Sequence, residues 1–380
     1  MINSNADALG IMFPNSYDSF VPELVSERLM ASIPFASRYR IVDFLLSSMV
    51  NCGIDNISLI VRKNYHSLMD HLGSGREWDL TRKKGGLNIV PPFAEKNVKV
   101  YNGRVEAMAS ILSFLKSQRE KYVVMSDTNL VVNFDFKSFI NAHIESGADV
   151  TVAYTREALP RDLKELPVGV KSMYYTMEMD GDRVKEIRLS AKEEGEQNLL
   201  MSIYVMEREF LIRQISEAFV NGHSYFERDI LIPNLNRLNI RGYRYDGYVA
   251  RITSIKSYFD ENMKMLDEEN LDALFNPNPV YTKIRDDNPT RYIDGAKVKN
   301  MMAADGCVIE GEVENSILFR GVKIAKGAKV KNCVLMQDTV VEAGARLEYV
   351  ISDKNVTVKV GQEIKGTDTF PVYVEKHKIV

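Results

Sequence analysis

The sequence predicts an α/β domain with a mainly parallel sheet, followed by a left-handed parallel β-helix. Up to about residue 270, short apolar β-branched runs alternate with helix-like segments, as in residues 56–61 and 64–72. Such alternation is typical of parallel strands joined by helices. From Asp294 onward the pattern changes, and small and aliphatic residues recur every six positions. With 380 residues, the chain is long enough for two such domains.

Two further strands of the α/β domain are predicted at 121–125 and 148–154, where apolar runs are bounded by polar residues. A helix is predicted between them at 136–146. Trp78 and the basic run at 82–86 are predicted to form a mobile surface loop.

Prolines interrupt the alternation near residue 275. Pro277 and Pro279 come first and Pro289 follows, and each removes a backbone donor and restricts the residue before it. We therefore predict an α/β domain at 1–275, a linker at 276–293 and a β-helix at 294–380.

The last segment carries a hexapeptide-type repeat. Gly321 and Gly327 are six residues apart, and the same spacing joins the aliphatic pairs Ile324/Val330, Val334/Val340, Val341/Leu347 and Val350/Val356. Small residues at corners and aliphatic residues pointing inward are the signature of a β-helix, in which each coil stacks on the next. A run of ordinary hairpins is the alternative.

Charge and composition exclude several classes of protein. The net charge is −3 with both signs interspersed, so we expect no nucleic-acid binding and no adhesion to an anionic membrane. The amino terminus lacks a signal-peptide pattern and no stretch is apolar enough to span a bilayer, so we expect a cytoplasmic protein. Cys52, Cys307 and Cys333 are too widely spaced for a zinc site or a disulfide framework.

The segment PFASRYRIVDFLLS at 34–47 resembles the PFGGKYRIIDFxLSN signature of bacterial ADP-glucose pyrophosphorylases, also called glucose-1-phosphate adenylyltransferases. Similar segments lie at 257–263, 306–311 and 315–322, so the resemblance covers nearly the whole chain. It implies a Rossmann-like nucleotidyltransferase domain that joins glucose 1-phosphate to ATP, with Mg²⁺, and releases pyrophosphate. The departures below resemble those of the divergent GlgD-type subunit.

The phosphate-binding parts of this family are altered here. Its GGxGxRL loop brings backbone N–H groups close to the triphosphate, but residues 10–20 contain no glycine after Gly10, and Pro14 and Asp18 lie within them. The family's KRAKP motif corresponds to 27–31, where Arg28 is the cation that remains. The resemblance therefore implies impaired ATP binding.

The metal-binding pair is also altered. The resemblance places Asp127 at one Mg²⁺ aspartate and Arg251 at the other. Because a guanidinium cannot ligate a divalent ion, the two-aspartate site is predicted to be lost, with Asp127 as the one candidate metal ligand. If the two residues are neighbours, Arg251 could pair with Asp127.

The substrate motifs are retained in part. The family's GTADAV motif corresponds to 103–108, which keeps Gly103 and has Glu106 in place of an aspartate. The sugar-phosphate lysine aligns with Ser190, and only a local shift would recruit Lys192.

These departures predict a non-catalytic or weakly catalytic regulatory subunit that assembles with a catalytic homologue, as a heterotetramer if the resemblance holds. Arg28, Arg38 and Arg40 are candidates for an effector or subunit-contact surface, and sugar phosphates could bind at the domain junction. An active adenylyltransferase with an altered phosphate loop is the second hypothesis. A sugar acyltransferase is a third, but no histidine lies between His223 and His377 to serve as its base.

Overall fold

The computed structural model describes residues 7–91, 101–164, 174–190 and 194–380. The strands of the α/β domain are β1 (Ala8–Phe13), β2 (Pro34–Phe35), β3 (Tyr39–Arg40), β4 (Asn56–Ile60), β5 (Gly86–Val90), β6 (Tyr122–Asp127), β7 (Leu130–Val132), β8 (Val150–Ala158), β9 (Tyr175–Asp180), β10 (Arg183–Leu189), β11 (Glu196–Glu207), β12 (Ile240–Arg244) and β13 (Val249–Arg251). Its helices are α1 (Ile41–Asn51), α2 (His66–Leu72), α3 (Arg104–Ala109), α4 (Leu112–Ser117), α5 (Phe136–Ser146), α6 (Arg161–Lys164), α7 (Arg208–Val220), α8 (Ile255–Lys264) and α9 (Glu268–Phe275). None of these helices is long and apolar enough to cross a membrane.

The main sheet has the strand order β5-β4-β1-β6-β11-β8-β12-β10-β9. Neighbouring strands from β5 to β6 are parallel. β11 is antiparallel to both β6 and β8, and a hairpin of β9 and β10 closes the far edge. The predicted parallel sheet is therefore mixed, and it is parallel in the half that begins the chain.

Helices cover both faces of this parallel half, which explains why most residues of its strands are apolar. Alternate residues of β1 point to opposite sides: Leu9 and Ile11 join a core with α3, α4 and α7. Ala8 and Met12 join a second core with α1, α2 and α5. The predicted helix at 136–146 coincides with α5.

The prediction of a mobile surface loop around Trp78 is wrong for the tryptophan itself. Trp78 is 1% exposed, and its indole Nε1 donates to the Ser47 hydroxyl of α1 at 3.1 Å. Its ring also meets that of His71 edge-on. The charged neighbours at 82–84 gave a polar local pattern, but one large apolar side chain in that pattern reaches the core.

The carboxyl-terminal domain is a stack of parallel strands that we call the coil domain, residues 291–380. Its strands are β14 (Arg291–Tyr292), β15 (Lys297–Ala303), β16 (Val308–Ile309), β17 (Glu312–Leu318), β18 (Lys323–Ile324), β19 (Lys329–Lys331), β20 (Val334–Leu335), β21 (Val340–Val341), β22 (Arg346–Glu348), β23 (Val350–Ser352), β24 (Thr357–Val358), β25 (Glu363–Lys365) and β26 (Val372–Val374). Every strand pair in it is parallel, which rules out the alternative of ordinary hairpins.

Successive coils are mostly 17 residues long, as the register Val313, Val330, Leu347 and Ile364 shows. Three hexapeptides would give 18, so one side of each such coil is a residue shorter than the strict repeat. At one corner Asn300, Asn315 and Asn332 adopt positive φ, and their side-chain amides bond in a ladder at 2.8 and 2.6 Å. Asparagine tolerates this left-handed conformation better than most residues.

The two domains share a hydrophobic core. Phe35, Phe44 and Tyr258 of the α/β domain pack in one cluster with Phe319 and Met336 of the coil domain. The Tyr258 hydroxyl donates to the carbonyl of Pro34 at 2.8 Å and so fixes α8 against the signature segment. A buried apolar contact of this kind holds the two domains in one arrangement.

A buried ion pair crosses the same boundary. Arg28 donates to Asp353 at 2.6 Å, and their side chains are 4% and 2% exposed. Asp353 also accepts from the Tyr373 hydroxyl at 2.6 Å. The structure therefore places Arg28, a candidate effector or contact residue, inside the domain junction with its charge compensated.

The coil domain permits a test of its close stacking. A Cβ on Gly311 would lie 2.5 Å from the Ala328 carbonyl oxygen, which already accepts from Glu312, whereas a Cβ on Gly344 would meet nothing within 4 Å and would only strain a φ of +72°. We expect Gly344→Ala to cost about 1 kcal/mol through its backbone conformation. Gly311→Ala should cost about 1–3 kcal/mol, because the next coil must shift.

Urea unfolding followed by circular dichroism compares the two variants. A lower unfolding midpoint for Gly344→Ala than for Gly311→Ala would show that backbone conformation, and not close stacking, limits the coils.

Candidate functional site

A pocket of about 100 Å³ lies at the carboxyl ends of β1, β4 and β6. Its walls come from the loop after β1, from Arg62 after β4 and from residues 101–104, with Tyr175 and Glu227 opposite. Ligands of open α/β sheets bind at this end of the strands, because the loops that follow parallel strands converge there. We call it the sheet pocket.

The loop after β1 is held by its own side chains. Asp18 accepts from the Asn15 amide at 2.7 Å and from the Met30 backbone N–H at 2.8 Å. Burial raises the pKa of Asp18 above its usual range, although these donors oppose the effect. Tyr17 bonds the Ser202 hydroxyl at 2.9 Å, and burial raises the pKa of Tyr17 to about 12. Side chains thus fill a position where a glycine-rich loop would expose backbone donors.

Asp127 ends β6 and is 1% exposed. It accepts from the Ser16 hydroxyl at 2.7 Å and from the guanidinium of Arg104. The same guanidinium donates to Glu227, which also accepts from the Tyr204 hydroxyl. One cation, whose side chain is 13% exposed, is therefore shared by two buried carboxylates.

Aromatic rings enclose this cation. The guanidinium carbon of Arg104 is 5.7 Å from the ring centres of Phe13 and of Tyr204, within the range of cation–π attraction. Burial acts to lower the pKa of Arg104, but the charge of Asp127 outweighs it and the net pKa is raised. Arg104 is therefore a permanent positive charge in the wall of the pocket.

A second pocket, of about 210 Å³, lies where the coil domain meets the signature segment, and we call it the junction pocket. Its cationic lining residues are Arg38, Arg40, Lys283, Arg285, Arg320 and Lys354, against one lining carboxylate, Asp70. Some of these cations are paired at the rim, as Lys283 is with Asp70 at 3.3 Å. The pocket is therefore strongly electropositive.

Two arginines in the junction pocket form no ion pair with a residue of the described chain. Arg40 donates to the carbonyl and hydroxyl of Ser67 at 2.6 and 3.0 Å, and burial lowers its pKa to about 10. Arg320 donates to the Lys283 carbonyl at 3.0 Å, while its buried Nε has no partner. Neutral acceptors orient these guanidinium groups, and no carboxylate of the described chain forms an ion pair with them.

Comparison with known proteins shows the family. A nucleotidyl transferase family model matches residues 24–221, and a GlmU-like C-terminal hexapeptide model matches residues 284–370. The glycogen biosynthesis protein GlgD of Bacillus subtilis (strain 168) is 34% identical over 98% of this chain and 96% of its own length. The chain belongs to the nucleotidyl transferase family, in the group of GlgD and the glucose-1-phosphate adenylyltransferases.

Two more relatives from this group occur together in Geobacillus stearothermophilus. Its GlgD is 37% identical over 86% of this chain and 83% of its own length. Its glucose-1-phosphate adenylyltransferase is 30% identical over 85% of this chain and 83% of its own length. The similarity thus extends through both the nucleotidyl transferase and the hexapeptide regions.

Within this family frame, Arg251 does not pair with Asp127. It donates to Glu157 at 3.1 Å and to the Thr155 hydroxyl and the Leu200 carbonyl, both at 3.3 Å. The pairing that the sequence allowed does not form, and Arg104, on α3, binds Asp127 instead.

The other substrate candidates serve local packing where they are described. Glu106 accepts from the Asn102 backbone N–H at 2.7 Å and from the Ser224 hydroxyl at 2.8 Å. A Cβ on Gly103 would lie 2.1 Å from the Ser224 carbonyl oxygen, so this glycine is required by close backbone approach. Lys192 lies outside the described residues. Arg38 and Arg40 meet in the junction pocket.

The residues present do not fit the Mg²⁺ of this family. The Asp127 carboxylate is taken by Arg104 and Ser16, and the second carboxylate position holds Arg251. No group of three His, Cys, Asp or Glu side chains in the described ranges could hold a metal ion. The Arg104 guanidinium on the single retained aspartate would repel a divalent ion.

Sequence reasoning missed the role of Arg104. Its signal was present: an arginine stands at the threonine position of the GTADAV-like motif, next to the retained Gly103. A buried guanidinium needs carboxylate partners, and Asp127 was already expected in the same site.

Removing the shared cation should destabilise the protein. Arg104→Met leaves Asp127 and Glu227 buried without a counter-charge, which we expect to cost about 3–5 kcal/mol. Arg156→Met removes the exposed pair with Glu196 and should cost less than about 1 kcal/mol. Urea unfolding of both variants and the parent measures the difference.

Proposed function

We propose that this chain is a regulatory subunit of glucose-1-phosphate adenylyltransferase that supports ADP-glucose synthesis for glycogen formation without catalysing it. The observation that carries the proposal is the Arg104 guanidinium, which is bound to both Asp127 and Glu227 inside the sheet pocket. This pocket has the position of a nucleotidyltransferase site and the charge arrangement of a closed ion-pair network.

The chemistry explains why this arrangement opposes catalysis. Attack of one phosphate on another needs positive charge that faces the reacting oxygens, usually from a metal ion and a cationic side chain. Here the positive charge of Arg104 is directed to Asp127 and Glu227. To free Asp127 for a metal, its ion pair with Arg104 must first be broken, which costs several kcal/mol.

The partner in this proposal is the catalytic homologue, in a heterotetramer. The relatives support it, because a GlgD and a glucose-1-phosphate adenylyltransferase from one organism are both similar to this chain. Exposed apolar side chains on and beside the coil domain offer contact area: Ile284, Tyr292, Val360, Phe370 and Ile379. We also propose that the coils wind in the left-handed sense expected from the repeat.

The effector in this proposal is a sugar phosphate that binds the junction pocket. Arg40 and Arg320 lie there without an ion-pair partner in the described chain, beside the paired cations of the rim. Because both domains line this pocket, a bound anion would contact both of them and could change how tightly they pack.

A second candidate is an active adenylyltransferase with an altered phosphate loop. The persistence of the sheet pocket, with Asn15, Ser16 and Asp127 still at its end of the sheet, favours this candidate. Direct assay separates the two.

The deciding experiment measures ADP-glucose formation from ATP, Mg²⁺ and glucose 1-phosphate by the purified chain, by the catalytic homologue of the same cell, and by their mixture. We expect no turnover by the chain alone and a changed maximal rate or effector response in the mixture. Turnover by the chain alone at a rate near that of the homologue would establish the second candidate. A mixture that equals the sum of its parts would contradict a regulatory role.

A single reversion at the lost metal position should not restore activity. In Arg251→Asp, Arg104 still occupies Asp127, and the loop from Gly10 to Phe20 still lacks its glycines. We expect ADP-glucose formation to stay at the level of the parent chain, because the new carboxylate has no available partner ligand. Substantial turnover by Arg251→Asp would show that Arg251 alone had silenced the site.

A further inference from the structure

One amine in the junction pocket differs from the other cations around it. Lys354 follows Asp353 in the coil domain and lines the pocket. No carboxylate of the described chain lies within ion-pair distance of its ammonium group. Asp353, its nearest acidic neighbour in sequence, is engaged by the Arg28 guanidinium at 2.6 Å and by the Tyr373 hydroxyl at 2.6 Å. The negative charge closest to Lys354 is therefore already shared.

The groups that face Lys354 are mainly cations. Arg28 and Arg40 approach it from the α/β domain and Lys376 from the carboxyl-terminal segment, and all three disfavour its charge, while Asp353 favours it. Lys376 itself pairs with Glu27, and the His377 backbone N–H donates to the Lys354 carbonyl at 3.1 Å. Across the pocket lie Arg38, Tyr39, Asp70, His71, Lys283, Arg285 and Arg320.

An amine in such a place holds its proton weakly. Burial, first, and then the charges of Arg40 and Arg28 lower the pKa of Lys354 to about 7. An anion in the pocket would supply the missing negative charge and would make the protonated amine favourable again. A neutral amine, by contrast, offers an anion only a weak donor.

We propose that the junction pocket takes up its anion together with one proton, which binds to the Nζ atom of Lys354. This inference rests on the anion-binding role proposed above for the same pocket. It adds that Lys354 contributes charge to the site only when the anion is present, so that ligand binding depends on pH.

The other titratable groups around the pocket do not produce the same effect above neutrality. His71 bonds Asp43 at 2.6 Å, and burial lowers its pKa below the usual range. The pKa of Asp70 is lowered by Lys283, although burial opposes this. Burial raises the pKa of Tyr39. These three groups therefore keep one charge state in the range where Lys354 loses its proton.

The sign of the effect follows by linkage. Below the pKa of free Lys354 the amine is already protonated, so anion affinity is independent of pH. Between that pKa and the higher one of the complex, each anion carries in one proton, and affinity falls about tenfold for each unit of rising pH.

Isothermal titration calorimetry of the full chain with sulfate tests this inference, because the charge of sulfate does not change near neutrality. Titrations at several pH values, in buffers of different ionisation enthalpy, give both the affinity and the number of protons taken up. We expect uptake to approach one proton per sulfate, and affinity to fall about tenfold per unit, as pH rises above about 7.

Three variants locate the effect. Lys354→Arg keeps the cation without a titratable amine, so sulfate should bind with little proton uptake and little pH dependence. Lys354→Met should bind sulfate weakly at every pH. Its affinity should equal that of the parent protein at alkaline pH, where Lys354 is neutral. Lys365→Met changes an exposed lysine of the same domain, paired with Glu348, and should behave as the parent does.

The outcomes separate the two proposals. Absence of sulfate binding to the parent chain at every pH, or binding that persists in Arg320→Met, would overturn the anion-binding role of the pocket and this inference with it. Binding without proton uptake, or uptake that persists in Lys354→Arg, would overturn the inference alone and leave the anion site standing.

Discussion

Compensation of buried charge is the constraint on which the rest of this structure depends. A charged side chain removed from water costs several kcal/mol unless an opposite charge and hydrogen bonds replace its hydration. Arg104 meets this requirement for Asp127 and Glu227 at the end of the sheet, and Arg28 meets it for Asp353 between the domains. The first network lies in the wall of the sheet pocket, and the second helps to fix the coil domain against the α/β domain.

The junction pocket is the place where this compensation is incomplete. Arg40 and Arg320 are oriented by neutral oxygens, and Lys354 faces other cations. Such a site is costly without a ligand and favours an anion from solvent. The two pockets thus have opposite character: the sheet pocket supplies its own counter-ions, whereas the junction pocket leaves its cations for a ligand. That contrast supports the proposal of a regulatory subunit that responds to a small molecule.

Prediction from sequence succeeded where a local pattern was sufficient. The apolar runs at 56–61 and 121–125 and the periodic segment at 136–146 became β4, β6 and α5, because strand and helix periods are read from neighbouring residues. The aliphatic repeat after Asp294 predicted the stacked coils, since each coil must bury the same face. Prediction from sequence failed at Trp78, because charged neighbours in the sequence gave no sign that its side chain is buried in the core.

By itself, the sequence determined the alternation of strands and helices in the first domain, the coil repeat and the absence of glycine between Gly10 and Phe20. Its resemblance to the family implied that one metal aspartate is replaced by Arg251. Only the tertiary structure decided which charges meet. Asp127 and Arg104 are 23 residues apart, and Arg104 and Glu227 are 123 apart, so no local pattern links them. The sequence allowed Arg251 as a partner of Asp127, but in the structure Arg251 pairs with Glu157. Pairing of buried charges depends on distances in space. These distances are set only when the sheet has formed and the two domains have packed together.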